Sequence, residues 1–158
     1  MKPSPASPGN GAAGRSSAHP LWIYEKLGRD RFQTLLESDS TAVYTCDSTG
    51  AINYYNKRAA DLWGRRPIID GTPERFCGSC RLYWSDGMPM PHEQSPMADV
   101  LAGRVPDIYD AEMQVLRPDG SCVIVISNIA PLVIDGLIVC AVNSFYEDPL
   151  HMRPNRRV

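Results

Sequence analysis

The chain has 158 residues, of which 43% are hydrophobic and 22% are charged, a composition typical of one soluble globular domain with a real core. A formal net charge of -2 excludes the basic excess that binding to nucleic acid or to an anionic membrane surface requires. The first residues contain no apolar run of a signal peptide, and no later run reaches the roughly 18–20 residues of a membrane span, so a cytoplasmic protein is expected.

Two segments precede the predicted domain. Residues 1–20 are rich in proline, glycine, serine and alanine and cannot bury enough apolar surface to offset the entropy lost on ordering, so they are predicted to be disordered. Residues 21–38 carry apolar side chains at helical spacings with charges between them, which predicts an amphipathic flanking helix. The stripe that would dock on the domain's own sheet or on a second subunit consists of Tyr24, Leu27, Phe32, Leu35 and Leu36.

A β-hairpin is predicted to open the domain proper, which spans residues 39–148. The patterns over residues 42–47 and 51–55 are typical of two short strands. The turn between them ends at Gly50, which tolerates a positive φ angle, and Asp47 can accept hydrogen bonds from backbone amides of the turn.

The middle of the chain is predicted to be helical at both ends and irregular between them. A short helix over residues 57–63 begins after Asn56, a good N-cap, and ends at Gly64. Residues 65–91 are dense in glycine and proline and are expected to form a connection. A second helix runs from residue 92 or 95 to residue 102.

The last third of the domain is predicted to be β-structure. Turn signals such as Arg117-Pro-Asp-Gly120 separate apolar or alternating segments, which indicate three antiparallel strands. Those strands span residues 109–117, 121–130 and 137–146. The fold class is therefore α+β with one antiparallel sheet. Residues 149–158 form a short basic tail that is predicted to be flexible.

The stretch RFCGSCRLYWSDGMPMPH, residues 75–92, contains a CxxC pair. A structural zinc site needs four ligands, and only His92 lies near Cys77 and Cys80 in sequence, so no metal site is predicted. A thioredoxin-type redox pair requires a CxxC at a helix N-terminus, whereas the residues after Cys80 have no helical pattern. The residues favour a third interpretation, a glycine-hinged loop packed against the helices. The chain has five cysteines, and free thiols are expected.

The order of these elements resembles the PAS family, in which two strands, short helices and three long strands build one sheet. The resemblance covers roughly residues 30–147 in order and spacing. The matching residues are Asp47-Ser-Thr-Gly-Ala-Ile-Asn-Tyr-Tyr-Asn56, Ala59-Ala60, Leu62-Trp63-Gly64, Arg117-Pro-Asp-Gly120, Ala130-Pro131-Leu132 and Asp135-Gly136. The resemblance implies a PAS fold, with a five-stranded antiparallel sheet, short helices on one face and an N-terminal flanking helix.

The resemblance implies a sensory or regulatory function. A stand-alone module of this kind would act in trans in bacterial signal transduction, by sensing a small ligand, by contacting a signalling protein such as a histidine kinase, or by both. A homodimer is expected, and a ligand-free protein-interaction scaffold is an alternative. The sequence shows no Ser-His-Asp order, phosphate-binding glycine loop or paired carboxylates, so an enzyme is not expected.

The resemblance also implies a ligand cavity between the sheet and the middle helices. The candidate lining residues are Tyr44, Trp63, His92, Met97, Leu101, Met113, Ile124 and Val142. Residues 77–98 are similar to a loop that joins the two middle helices in a subset of bacterial sensory PAS domains. Its cysteines and aromatic residues are predicted to form a lid over the pocket mouth or a binding surface, and they are Cys77, Cys80, Tyr83 and Trp84.

Two cofactors are considered on the basis of the resemblance. In oxygen-sensing haem PAS domains, the iron-binding histidine lies at a similar place beside the cavity, so a gas or redox sensor with His92 as the axial ligand is an alternative. Flavin photochemistry requires an asparagine-cysteine-arginine motif, to which Ser79-Cys80-Arg81 is only superficially similar, and flavin is not expected. The sequence leaves the identity of any ligand open.

Overall fold

The structure of the protein, a computed structural model, describes residues 41–151. The predicted disordered tail, the predicted flanking helix over residues 21–38 and the basic residues 152–158 lie outside the described residues. The described part of the predicted flexible tail forms a 3₁₀ turn, Pro149–His151. Within residues 41–151, no helix has the length and apolar character needed to cross a bilayer.

The domain opens with the predicted hairpin, formed by β1 (Ala42–Asp47) and β2 (Ile52–Tyr55). Its turn is held by the Asp47 carboxylate, which accepts a hydrogen bond of 2.9 Å from the backbone amide of Thr49. Gly50 has a φ angle of 94°, a conformation that favours glycine because it has no Cβ atom. The local turn chemistry therefore explains why the chain reverses here.

The first helix, α1 (Lys57–Trp63), begins and ends where the sequence predicts. The side-chain oxygen of Asn56 accepts a hydrogen bond of 2.9 Å from the Ala59 amide, as an N-cap does. The same oxygen accepts a bond of 3.1 Å from the amide of Val43, so Asn56 also ties the helix to β1. Gly64 ends the helix in the left-handed conformation.

Two strands occur in a stretch that was predicted to be a loop. β3 (Arg81–Trp84) and β4 (Pro89–Met90) form a small hairpin, in which the Trp84 amide donates a bond of 2.9 Å to the Met88 carbonyl. Each strand contributes a single buried side chain, which is too little to produce a periodic pattern in the sequence. The prediction of five strands is therefore wrong, and the sheet has seven.

The remaining elements lie close to their predicted positions. A 3₁₀ turn, His92–Gln94, leads to a short helix, α2 (Pro96–Leu101), whose N-cap is Ser95. The hydroxyl of Ser95 accepts a bond of 3.4 Å from the Ala98 amide. The three long strands are β5 (Ile108–Leu116), β6 (Cys122–Ile134) and β7 (Leu137–Glu147).

All pairings in the sheet are antiparallel, and the strand order is β2-β1-β7-β6-β5-β3-β4. The five predicted strands form a continuous run, and β3 extends that run by pairing along β5. The β1–β7 pairing joins the first hairpin to the end of the domain and places Tyr44 opposite Asn143. Side chains on one face of this sheet meet α1 and α2, and the main core lies between them.

An aromatic cluster occupies the centre of that core. Trp63 is fully buried, and its ring lies 5.1 Å from the ring of Tyr44, edge to face, and 5.8 Å from the ring of Phe145, stacked. Tyr55 makes a second edge contact with Trp63 at 5.6 Å. Contacts of this geometry add to the stabilisation that comes from burying the rings.

The double role of Asn56 predicts a large loss of stability on truncation. Asn56→Ala removes the helix cap and leaves the Val43 amide without its acceptor, so the free energy of unfolding should fall by about 2–3 kcal/mol. Ser95→Ala is the matched control, because it removes a single cap bond and should cost about 1 kcal/mol. Urea unfolding measures both values. Equal losses in the two variants would contradict a role for Asn56 outside its helix.

Candidate functional site

A small cavity lies between the inner face of the sheet and the residues around α2. Its volume is about 20 Å³, which is room for about one water molecule. Most of its lining is apolar, with three serine or asparagine side chains among it. The lining residues are Tyr44, Trp63, Cys77, Leu82, Ser95, Pro96, Met97, Met113, Val115, Val125, Ser127, Ile129, Asn143 and Phe145.

The polar wall of the cavity includes an amide oxygen with nothing to bond. Asn143 is 3% exposed, and its Oδ1 atom has no hydrogen-bond partner among the described residues. The neighbouring phenol of Tyr44 donates instead to the backbone carbonyl of Phe76, at 2.7 Å. Burial raises the pKa of Tyr44 well above its usual value, so this phenol stays neutral. The lining of the cavity therefore includes an uncharged amide whose oxygen has no partner among the described residues.

Four of the predicted pocket residues line the cavity, namely Tyr44, Trp63, Met97 and Met113. Two others are placed on the opposite face of the sheet. Ile124 and Val142 directly precede Val125 and Asn143, which line the cavity, and successive side chains of a strand point to opposite faces. The prediction that Ile124 and Val142 face the pocket is corrected for this reason.

Leu101 and His92 do not line the cavity either. Leu101 is the last residue of α2, where it is partly buried against the core. His92 belongs to the 3₁₀ turn before that helix, and its Nε2 atom lies 3.5 Å from the hydroxyl of Ser79. Desolvation lowers the pKa of His92, although the nearby carboxylates of Glu93 and Glu74 act in the opposite direction.

The residues present do not fit a haem or a flavin. An iron ligand must project into the cofactor pocket, whereas His92 contacts Ser79 outside the cavity. The cavity volume of about 20 Å³ is also far smaller than either cofactor. No group of three or more histidine, cysteine or acidic side chains within residues 41–151 could hold a metal ion.

Sequence reasoning missed the polar lining of the cavity. Ser127 and Asn143 lie on β6 and β7 among apolar neighbours, and the residues predicted from these two strands, Ile124 and Val142, are both apolar. The signal that could have found them is alternation, because Val125, Ser127 and Ile129 occupy every second position of β6. That pattern identifies a face only after one inward residue of the strand is known.

The Cys77–Cys80 segment packs directly on the aromatic cluster. A Cβ atom at Gly78 would lie 2.5 Å from the Trp63 ring and 2.6 Å from the Pro67 ring, so only glycine fits. The guanidinium of Arg65 donates a bond of 2.6 Å to the Gly78 carbonyl and two bonds of 2.8 Å to the Glu74 carboxylate. The hydrogen bond from Arg65 lowers the pKa of Glu74, which keeps this ion pair charged.

The residues of the predicted lid have different environments. Cys77 is buried and lines the cavity, whereas Cys80 is exposed. Tyr83 and Trp84 belong to β3, which pairs along β5, so the prediction that they form a loop over a pocket mouth is corrected. The loop does not form because β5 offers an edge with which this short segment pairs. That Tyr83 and Trp84 form a binding surface stays a prediction.

The architecture is similar to that of several solved structures. A PAS domain from Colwellia psychrerythraea gives a TM-score of 0.52 at 17% identity, over 78% of this chain and 98% of that chain. The PAS domain of the fruit-fly ELK potassium channel gives 0.52 at 16% identity, over 75% and 95%. A light-oxygen-voltage domain from work with a flavin analogue gives 0.53 at 17% identity, over 78% and 84%.

The chain has the PAS fold. Identities of 16–17% establish the fold alone, and no family model and no curated protein matches the sequence. The predicted PAS fold, with an antiparallel sheet and helices packed on one face, is thereby confirmed.

The close approach of Gly78 to Trp63 predicts a destabilising effect of one methyl group. Gly78→Ala should lower the free energy of unfolding by about 1–3 kcal/mol or more, because neither neighbouring ring can yield without moving the core. Gly71→Ala is the control, since its Cβ atom meets nothing within 4 Å and its φ angle of 74° should cost about 1 kcal/mol. Thermal or urea unfolding compares them. A loss no greater for Gly78→Ala would contradict the packing.

Proposed function

We propose that this protein is a regulatory PAS domain that acts in trans in bacterial signal transduction, in the cytoplasm, on a signalling protein such as a histidine kinase. The PAS fold supports a sensory module, and the role involves no reaction catalysed by the domain. The observation that carries the proposal is the small cavity with the unpartnered Oδ1 atom of Asn143.

The lining of the cavity favours a small, neutral ligand. An unpaired buried acceptor costs about 1–3 kcal/mol, and a ligand or water that donates a hydrogen bond recovers that energy. A charged ligand would meet no opposite charge among the lining residues, all of which are apolar or neutral. Met97 and Met113 are flexible enough to widen the space by changing rotamer. The ligand class proposed is therefore a small uncharged hydrogen-bond donor.

The outer face of the sheet is suited to transfer the signal by contact with another protein. Leu116, Ile124 and Ile126 are partly exposed on this face of β5 and β6, and Tyr146 of β7 lies opposite Ile126. These side chains belong to the same strands whose opposite faces line the cavity. Repacking around a ligand can therefore be transmitted through β5, β6 and β7 to a partner or to a second copy of the domain.

A second candidate function, a protein-interaction scaffold without a ligand, is favoured by the small cavity volume. About 20 Å³ is within the range of the natural packing voids that hold single waters. In this function the outer face would bind the partner constitutively. The two candidates differ in whether the protein carries a small molecule when it is isolated from cells.

The amide of Asn143 provides the test of ligand binding. Native mass spectrometry of the protein from cells should show the added mass of a small molecule, and Asn143→Leu should lack it because the acceptor is gone. The variant should lose only about 1 kcal/mol of stability, because the oxygen it removes is unpaired and the amide has one hydrogen bond, with the Tyr44 side chain. Gln114→Leu is the control, because it makes the same change on the outer face. A bare wild-type polypeptide would contradict ligand sensing and favour the scaffold.

Self-association through the outer face and residues 21–38 predicts a monomeric variant. Ile126→Glu places a charge in the proposed interface, and removal of residues 21–36 deletes the predicted apolar stripe. Each should weaken the dimer by about tenfold or more. Leu137→Glu is the control, because this residue is 69% exposed in the β6–β7 turn region. Sedimentation velocity measures the association, and a dimer unchanged in both test variants would contradict the interface.

A further inference from the structure

The two thiols of the Cys77–Cys80 pair have opposite surroundings, and one of them has a path for proton transfer. The Cys77 sulfur, which is buried, lies 3.2 Å from the hydroxyl of Ser79. That hydroxyl lies 3.5 Å from Nε2 of His92. Because desolvation lowers the pKa of His92, the imidazole is available as a neutral base at neutral pH.

The thiol of Cys80 is exposed and interacts electrostatically with Arg65. The hydrogen bond with Glu74 is the main cause of the raised pKa of Arg65, and Cys80 contributes to it through a charge interaction. Cys80 is thus accessible to an oxidant, while Cys77 has a hydroxyl and an imidazole that can accept its proton.

The backbone before Cys77 is strained. Phe76 has a φ angle of 69°, and the Cys77 amide donates a bond of 2.8 Å to the Arg75 carbonyl across it, which makes a γ-turn of the rare kind with a positive central φ. Residues 77–80 belong to no helix or strand. The segment can therefore change conformation without breaking a strand pairing, and relief of strain assists that change.

We propose that Cys77 and Cys80 are a peroxide-sensitive thiol pair whose oxidation to an intramolecular disulfide alters the core around Trp63. This input is separate from the proposed cavity ligand and does not depend on it. It also differs from thioredoxin-type catalysis, because the oxidation is a stoichiometric switch of this chain.

The reaction has two steps with a hydroperoxide as the oxidant. The Cys80 sulfur attacks a peroxide oxygen, so an S–O bond forms and the O–O bond breaks, and the leaving hydroxide takes up the thiol proton of Cys80 to become water. Cys77 then passes its proton through Ser79 towards His92, and its sulfur attacks the sulfur of the sulfenic acid. The S–S bond forms as the S–O bond breaks, and the hydroxide leaves with a proton as a second water. Two thiols and one hydrogen peroxide yield one disulfide and two waters.

Disulfide formation must change the core because Cys77 faces inward and Cys80 faces outward. A disulfide holds its two Cβ atoms about 3.5–4.5 Å apart, so it ties the buried Cys77 to the exposed Cys80. Cys77 lines the same cavity as Trp63, and Gly78 leaves no free space against that indole. Withdrawing Cys77 therefore changes the surroundings of Trp63 and the shape of the cavity.

Peptide mass spectrometry tests the disulfide directly. Trypsin cleaves after Arg75 and Arg81, so Phe76–Arg81 carries both thiols in one hexapeptide. After brief treatment of the full chain with hydrogen peroxide and alkylation of the remaining thiols, this peptide should be unalkylated and lighter by two hydrogens. A phosphine reductant should restore both alkylation sites.

Matched variants show which thiol reacts. Cys80→Ser changes an exposed residue and should abolish the disulfide without loss of the fold. Cys122→Ser, at the other exposed cysteine, should leave the reaction unchanged. Ser79→Ala should slow closure by at least about tenfold, so that a sulfenic acid on Cys80 accumulates and is captured by a dimedone probe, and Ser79→Thr should restore closure. Oxidation that stops at Cys80, or that joins Cys80 to Cys122, would overturn the proposal.

Fluorescence tests the link to the core. In a variant with Trp22→Phe and Trp84→Phe, Trp63 is the only indole of the chain. Peroxide should change its emission, and a phosphine should reverse the change, while the same protein with Cys80→Ser should not respond. A disulfide that forms with no change at Trp63 would overturn the proposed switch. Neither result depends on the mass added by a cavity ligand.

Discussion

The packing of Trp63 is the constraint on which the other features of this domain depend. The indole is fully buried between Tyr44 and Phe145 of the sheet, and it ends the helix that Asn56 caps. One side of the ring is so close to the backbone at Gly78 that no larger residue fits there. Because protein interiors are close-packed, the sheet, α1 and the Cys77–Cys80 segment cannot move independently of this side chain.

This arrangement explains how a change inside a small cavity shifts side chains and strands around it. The cavity lies beside the same indole and is bounded by strands whose other faces are partly exposed. A change of one hydrogen bond at Asn143, or of one thiol at Cys77, acts on a wall that has little free volume. In a close-packed core such changes are accommodated by shifts of whole side chains and strands, and the proposed function depends on such shifts.

The cavity interior and the Cys77–Cys80 segment differ in the charge of their surroundings. The cavity wall is neutral, since burial keeps the phenol of Tyr44 and the thiol of Cys77 protonated by raising their pKa values. The charges lie outside it, where Arg65 joins the Glu74 carboxylate to the Gly78 carbonyl. An uncharged interior suits a neutral ligand, whereas the exposed thiol of Cys80 lies outside the cavity, where an oxidant can reach it. The two proposed inputs thus occupy adjacent but chemically different environments.

The sequence by itself determined the elements that depend on local chemistry. The turn at Asp47 and Gly50, the cap at Asn56 and the long strands were predictable because each depends on neighbours within a few residues. Only the tertiary structure decided which face of each strand meets the core, since that depends on the pairing register, and Ile124 and Val142 were misplaced for this reason. The tertiary structure also determines that β3 forms, because Leu82 of this short segment becomes a strand residue only by pairing with Val115 of β5. The thiol of Cys77 reaches His92 through Ser79 for the same reason: their contact is made by the folded chain and not by the spacing of the residues.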